Sequence, residues 1–241
     1  ASGRHTLADL IDKYIKEALH GKARTTQEAD RIRLAWWKQH LGHLILKHLT
    51  PEELQEALPA IAASGRGNGD TSIRRHVTAL SAALQAAREW RWIAGTPARE
   101  LKLPPEPRGR LRYLNPEELA RFLEAVRRSR NPMLAPAVLL SLSTGMRKGE
   151  LLALTWDCID LERGHVSLMN TKNGSNRGVP LTRQAVEVLR EYGRVRRLDT
   201  PLVFPKANGQ GGAVLRRAFL SALKAAGVAD FRWHDLRHTC A

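Results

Sequence analysis

Cysteine is almost missing from these 241 residues: Cys158 and Cys240 stand 82 positions apart, and neither belongs to a CxxC or Cys/His cluster. This excludes a disulfide framework and a zinc site and favours a reducing, cytoplasmic setting. Long apolar runs are missing too. The most apolar stretch, residues 133–146, is interrupted by Pro136, Ser141 and Ser143. It falls short of the roughly 20 residues a bilayer crossing needs, so no membrane partner is expected. No GxxxxGK[ST] loop and no cluster of acidic ligands is present, so neither a nucleotide nor a metal is expected as cofactor, and no small-molecule substrate is indicated. The start, Ala1-Ser2-Gly3-Arg4-His5, lacks an initiator Met and an apolar signal core and reads as a trimmed or cloned terminus.

The scarce charge is the negative one. Against 39 Lys and Arg there are 24 Asp and Glu, for a formal +15 and a pI near 10.7. The excess is +5 up to Leu103 and +10 beyond it. A polyanionic partner is favoured, and a merely solvated basic surface stays open at this level. With 43% apolar residues the chain can bury two modest cores.

Periodicity and caps divide the chain. Leu7, Leu10, Ile11, Tyr14, Ile15, Ala18 and Leu19 recur at helical steps up to Gly21, predicting a helix closed by that glycine. Thr25 with Glu28 predicts a capped second helix through Trp36. Thr50-Pro51-Glu52-Glu53 opens a third, which Pro59 should kink or end. After the loop at residues 64–70, Ile73, Val77, Leu80, Leu84 and Ala87 mark the buried stripe of a long fourth helix. Its neighbouring stripe, Arg74, Thr78, Ser81, Gln85 and Arg88, with Arg75 beside it, suits a helix lying on DNA. There Arg and Gln can read base edges, and Ser and Thr can hold phosphates. A solvated face is the competing reading.

Residues 104–112, with Pro104, Pro105 and Pro107, read as a linker whose Arg108 and Arg110 are candidate phosphate contacts. The expected organisation is a helical DNA-binding domain at 1–103 and a second domain at 113–241. Asn115-Pro116-Glu117-Glu118 opens a new helix, and an apolar helix covers about 133–144. Short β-prone runs at 158–161, 165–169 and 178–181, separated by Arg163-Gly164 and Asn173-Gly174, predict a small antiparallel meander. Helical patterns return at 182–197 and 214–226, and a last helix starts near Trp233. The fold class is therefore mainly α with a small antiparallel sheet.

Three segments carry chemistry. In Thr144-Gly145-Met146-Arg147-Lys148-Gly149-Glu150-Leu151 an arginine follows a glycine turn and opens a helix, where a guanidinium can hold a phosphate. Thr171-Lys172-Asn173-Gly174 puts a lysine beside a hairpin turn. His234-Asp235-Leu236-Arg237-His238-Thr239 gathers two histidines and an arginine near a helix start, able to direct several donors at one anion. Each alone has a plain alternative: an Arg147–Glu150 ion pair, a surface lysine, a histidine-rich cap.

In this order and spacing the segments resemble the tyrosine recombinase, or phage integrase, family. Its signature runs from an arginine in a TGxRxxE-type segment through a hairpin lysine and HxxRH to a later His or Trp and a tyrosine nucleophile. Arg147, Lys172, His234 and Arg237 match the catalytic positions, with Glu150 and His238 in support. The resemblance implies a helical core-binding domain, an α+β integrase-type catalytic domain, and a clamp on double-stranded DNA assembled as a homotetramer. It further implies breakage and rejoining through a 3′-phosphotyrosine, and a bacterial or phage-encoded, nucleoid-associated protein of a mobile element. In that chemistry Arg147 and Arg237 neutralise the phosphate, His234 shares the phenolic proton, and Lys172 protonates the leaving 5′-oxygen.

The pattern departs at the end. Tyr14, Tyr113 and Tyr192 all precede HxxRH and suit packing better than catalysis, so the nucleophile is expected beyond Ala241 and the chain as it stands is expected not to cleave. A DNA-binding regulator or inactive fragment, and a type IB topoisomerase-like enzyme sharing the same chemistry, stay open as alternatives.

Overall fold

The computed structural model describes residues 5–64, 69–106, 109–168 and 177–240, the side chain of residue 177 excepted. The chain divides into two units, Ala1–Gly109 and Arg110–Ala241. The fold is mainly helical with one small antiparallel sheet.

The first unit contains α1 (Leu7–Glu17), α2 (Arg24–Leu41), α3 (Pro51–Ser64) and α4 (Gly69–Glu89). Thr6 caps α1: its hydroxyl accepts from the Asp9 N–H at 3.2 Å while the Asp9 carboxylate accepts from the Thr6 N–H at 2.8 Å. Gly21 does not close this helix, which ends at Ala18 and passes into a 3-10 turn, Leu19–Gly21, that buries Leu19. The Thr25–Glu28 box does not form either. The helix begins two residues earlier, at Arg24, and the Glu28 carboxylate accepts from Arg24 Nε at 3.2 Å instead. In α3 the box is made: the Thr50 N–H donates to Glu53 at 2.9 Å and the Glu53 N–H donates back at 3.2 Å. Pro59 does not end that helix, because Leu58 and Ile61 are buried on either side of it and hold the backbone in place.

Helix α4 is the spine of this unit, packing against α1, α2 and α3 with Ile73, Val77, Leu80, Leu84 and Ala87 all buried. Trp37 of α2 is fully buried against it and its indole N–H donates to the His76 carbonyl at 3.1 Å. The His76 ring stands edge-on to Trp36, and its buried Nδ1 has no hydrogen-bond partner among the described residues. Burial, and secondarily Arg33, push its pKa below the ordinary 6.5. The folded state therefore disfavours the imidazolium, and the unfolded chain takes up the proton first. Stability contributed here is complete above about pH 6.5 and falls as the pH drops below it. His76→Gln should flatten the difference in urea midpoint between about pH 7.5 and about pH 5. An unchanged difference would remove His76 as its source.

The second unit runs α5 (Pro116–Arg127), α6 (Leu134–Thr144), α7 (Lys148–Leu152), β1 (Ile159–Asp160), β2 (His165–Leu168), β3 (Arg177–Pro180), α8 (Arg183–Gly193), α9 (Arg216–Ala225) and α10 (Asp235–Thr239). Asn115 and Glu118 complete the expected cap of α5. The strands pair in the order β1-β2-β3, antiparallel, with Val166 opposite both Ile159 and Val179. The expected Asn173-Gly174 turn lies outside the described residues. Helix α6 is apolar on most sides because it is the centre of this unit, touching α5, α7, α8 and α10. Leu134, Ala137, Val138 and Leu140 are all fully buried along it.

The stretch between α8 and α9, which shows no periodicity in the sequence, is fixed by backbone pairing. Val203 donates to the Leu154 carbonyl at 2.9 Å and Ala213 to that of Phe204 at 2.8 Å, which seats Phe204 in the core. No helix among the described residues is long and apolar enough to cross a membrane.

Candidate active site

The site grows from the end of α6. Thr144 is its last residue, and Gly145 turns the chain away with φ +58, a left-handed conformation that glycine adopts without strain. Two residues later Arg147 precedes α7. The Glu150 carboxylate accepts from the Arg147 backbone N–H at 2.7 Å and from its guanidinium Nη1 at 2.9 Å. The ion pair anticipated as the plain alternative is thus present, and it orients Arg147 while leaving the side chain 40% exposed. From α10, Arg237 Nη1 donates to the Gly145 carbonyl at 2.7 Å. A Cβ on Gly145 would come within 3.7 Å of Arg237 Cγ and 3.4 Å of Cys240 Sγ, so α10 lies closely on this turn. Among the described residues no carboxylate pairs with Arg237.

The histidines belong to the same corner. His234 immediately precedes α10 and is exposed; its ring centroid is 5.7 Å from that of the half-buried His238, edge to face. Trp233 is buried on Phe219, with centroids 4.9 Å apart, which anchors the backbone entering His234. The Lys148 ammonium lies 5.6 Å from the Trp233 ring centroid, tying the residue after Arg147 to the residue before His234. The structure therefore brings the segment carrying Arg147 and Glu150 against the segment carrying His234, Arg237 and His238. Such a corner offers guanidinium and imidazole donors to one multivalent anion. Among the described residues no group of three His, Cys, Asp or Glu side chains could hold a metal ion.

Residues 112–241, more than half of the chain, match the phage integrase family. This chain belongs to that family. It is 28% identical over 270 residues to the integrase of Salmonella phage P22, covering 95% of this chain and 66% of that protein. Over 176 residues it is 34% identical to the shufflon-specific DNA recombinase of Escherichia coli, covering 73% of this chain and 44% of that protein. The chain spans less than two thirds of the length of these relatives. Lambda integrase, in the crystal structure of its tetramer bound to a Holliday junction, matches with a TM-score of 0.78 at 21% identity, over 98% of this chain and 71% of that one. The Tn1549 transposon integrase, in complex with a circular intermediate DNA, matches with a TM-score of 0.80 at 18% identity, over 98% of this chain and 85% of that one. At those identities the likeness is one of fold.

The other candidate residues of this integrase-family chain divide sharply. Lys172 and Arg108 lie outside the described residues. Arg110 is not the open phosphate contact expected of it: its guanidinium is bound to Asp230 and Asp235. Arg74 also turns inward, donating to the Pro104 carbonyl, with its Nε buried. Arg75, Thr78 and Arg88 are exposed on α4, and Ser81 and Gln85 are half-buried beside them. The Thr78 hydroxyl donates to the Arg74 carbonyl at 2.8 Å, and Gln85 donates to Glu89 at 3.2 Å. Three residues of the corner escaped the sequence reading. Asp235, Trp233 and Lys148 sit inside or next to the two motifs, but only their neighbours carried a known role.

Proposed function

We propose that the chain supplies the DNA-gripping part of a site-specific recombinase that breaks and rejoins double-stranded DNA through a 3′-phosphotyrosine. The observation that carries this reading is the 2.7 Å bond from Arg237 to the Gly145 carbonyl, which gathers two motifs far apart in sequence at one corner. Attack on a phosphodiester builds negative charge on its non-bridging oxygens. Forked guanidiniums oriented beforehand, Arg147 by Glu150 and Arg237 by Gly145, can neutralise that charge with little reorganisation. His234, exposed at the entrance to α10, shares the phenolic proton, and His238 adds a donor to the phosphate. Lys172 protonates the leaving 5′-oxygen. The broken bond is conserved as a tyrosine ester, so rejoining needs no nucleotide.

Tyr192 is unsuited to be the nucleophile, since its hydroxyl donates to the Val203 carbonyl at 3.0 Å and burial pushes its pKa up. Tyr14 is buried in the other unit. In the first unit, Arg75, Thr78, Ser81, Gln85 and Arg88 form the DNA-facing stripe of α4. The working assembly is a homotetramer on DNA, as in the lambda integrase complex. The test is a nicked substrate bearing the recombination site, incubated with the full-length product of the gene. A covalent protein–DNA band is expected. Tight binding without such a band would favour the non-cutting DNA-binding reading.

A further inference from the structure

Arg110 is the cation that the sequence places on DNA and the fold places elsewhere. Its Nη1 is 2.7 Å from Asp230 Oδ1, its Nη2 is 3.1 Å from Asp235 Oδ2, and the same Nη2 also bonds the Asp230 carbonyl. Both partners are unusual. Asp230 has φ +47, a left-handed conformation that a non-glycine residue holds only when its surroundings compensate. The Asp235 side chain is only 5% exposed, and its Oδ2 also accepts from the Arg232 N–H at 2.8 Å. A buried carboxylate needs such partners. Asp235 is the first residue of α10, directly after His234 and two before Arg237. Its carbonyl accepts from the Thr239 hydroxyl at 3.0 Å, and that hydroxyl accepts from the Leu114 N–H at 3.2 Å.

We propose that Arg110 is a positioning residue of the strand-cleavage site: by clamping Asp230 and Asp235 it sets the backbone that carries His234 and Arg237. The proposal rests on the functional reading given above. The clamp works at both ends of the segment. At Asp230 it compensates a strained turn, and at Asp235 it supplies the countercharge of a buried carboxylate. Without it, α10 shifts on the Gly145 turn and the Arg237 guanidinium leaves the Gly145 carbonyl that orients it. In this role Arg110 acts through Asp230 and Asp235 and not on a phosphate, since three of its N–H donors are engaged by them.

The roles separate in an experiment on the full-length gene product with DNA bearing its site. Arg110→Ala should lower the cleavage rate at saturating DNA by up to about a hundredfold, the effect of a small displacement of reacting groups. DNA affinity and its salt dependence should stay within about twofold of wild type, because no released counterion is lost. Asp235→Asn should act in the same direction but lose less, and the double variant should be little worse than Arg110→Ala alone, since the Arg110–Asp235 contact is already gone in it. Arg110→Lys, which keeps the charge without the fork, should lose an intermediate amount and covers the case in which the alanine variant does not fold. Wild-type cleavage in the alanine or lysine variant would overturn the proposal. So would weakened binding with a salt slope reduced by about one, the mark of a lost phosphate contact. Arg147→Ala run alongside keeps the two ideas apart: undiminished cleavage there would end the catalytic reading itself, whatever Arg110 does.

Discussion

Strand cleavage by the full-length gene product should fall by about 10²–10³-fold when Arg147 is replaced by alanine, and by a similar factor when Arg237 is, the usual loss on removing one preorganised donor of about 3–4 kcal/mol. Arg147 is held by two bonds to Glu150 and Arg237 by one to the Gly145 carbonyl, so both guanidiniums are oriented before substrate arrives. Lysine should restore little at either position, since an ammonium offers no forked pair of N–H donors to two phosphate oxygens. Rates from single-turnover cleavage of a nicked substrate at saturating protein decide the matter, because saturation removes any loss of affinity from the comparison. A wild-type rate in either alanine variant would overturn the assignment of that arginine.

The second large effect concerns binding. With a formal +15 and an excess of basic residues in both parts of the chain, DNA binding should be steeply dependent on salt. If about six phosphates are neutralised, affinity should drop by about a thousandfold between 50 and 200 mM salt. Arg75→Ala and Arg88→Ala, on the exposed stripe of α4, should each lower the logarithmic slope by about one. Arg74→Ala should not, since that guanidinium is engaged with the Pro104 carbonyl. A nearly flat salt response of the unmodified chain would leave the basic surface without the role given to it here.

Local grammar accounts for much of what could be read in advance. The caps at Thr50 and Asn115 formed because each needs only a side chain three residues away. The stripe from Ile73 to Ala87 was visible because a helix repeats its buried face at fixed steps. Where a reading failed, packing had outweighed propensity. The helix of Pro59 continues because its flanking residues are buried, and the Thr25 box is displaced because α2 starts earlier. The candidate site divides in the same way. Arg147 and Glu150 are three apart and legible as a pair, whereas Arg110 and Asp235 are 125 positions apart and carry no pairing signal in a single sequence.

The sequence by itself determined the basic charge of the chain, most of its helices, the caps at Thr50 and Asn115, and the small sheet, because these depend on composition or on neighbours within a few residues. Only the tertiary structure decided which cations are open and which are spent. Docking of α10 on α6 carries Arg237 to a carbonyl 92 positions away, and Arg110 is engaged by the buried Asp235 and the exposed Asp230. Such pairings follow from which apolar faces meet, and a guanidinium drawn into one of them has fewer donors left for DNA.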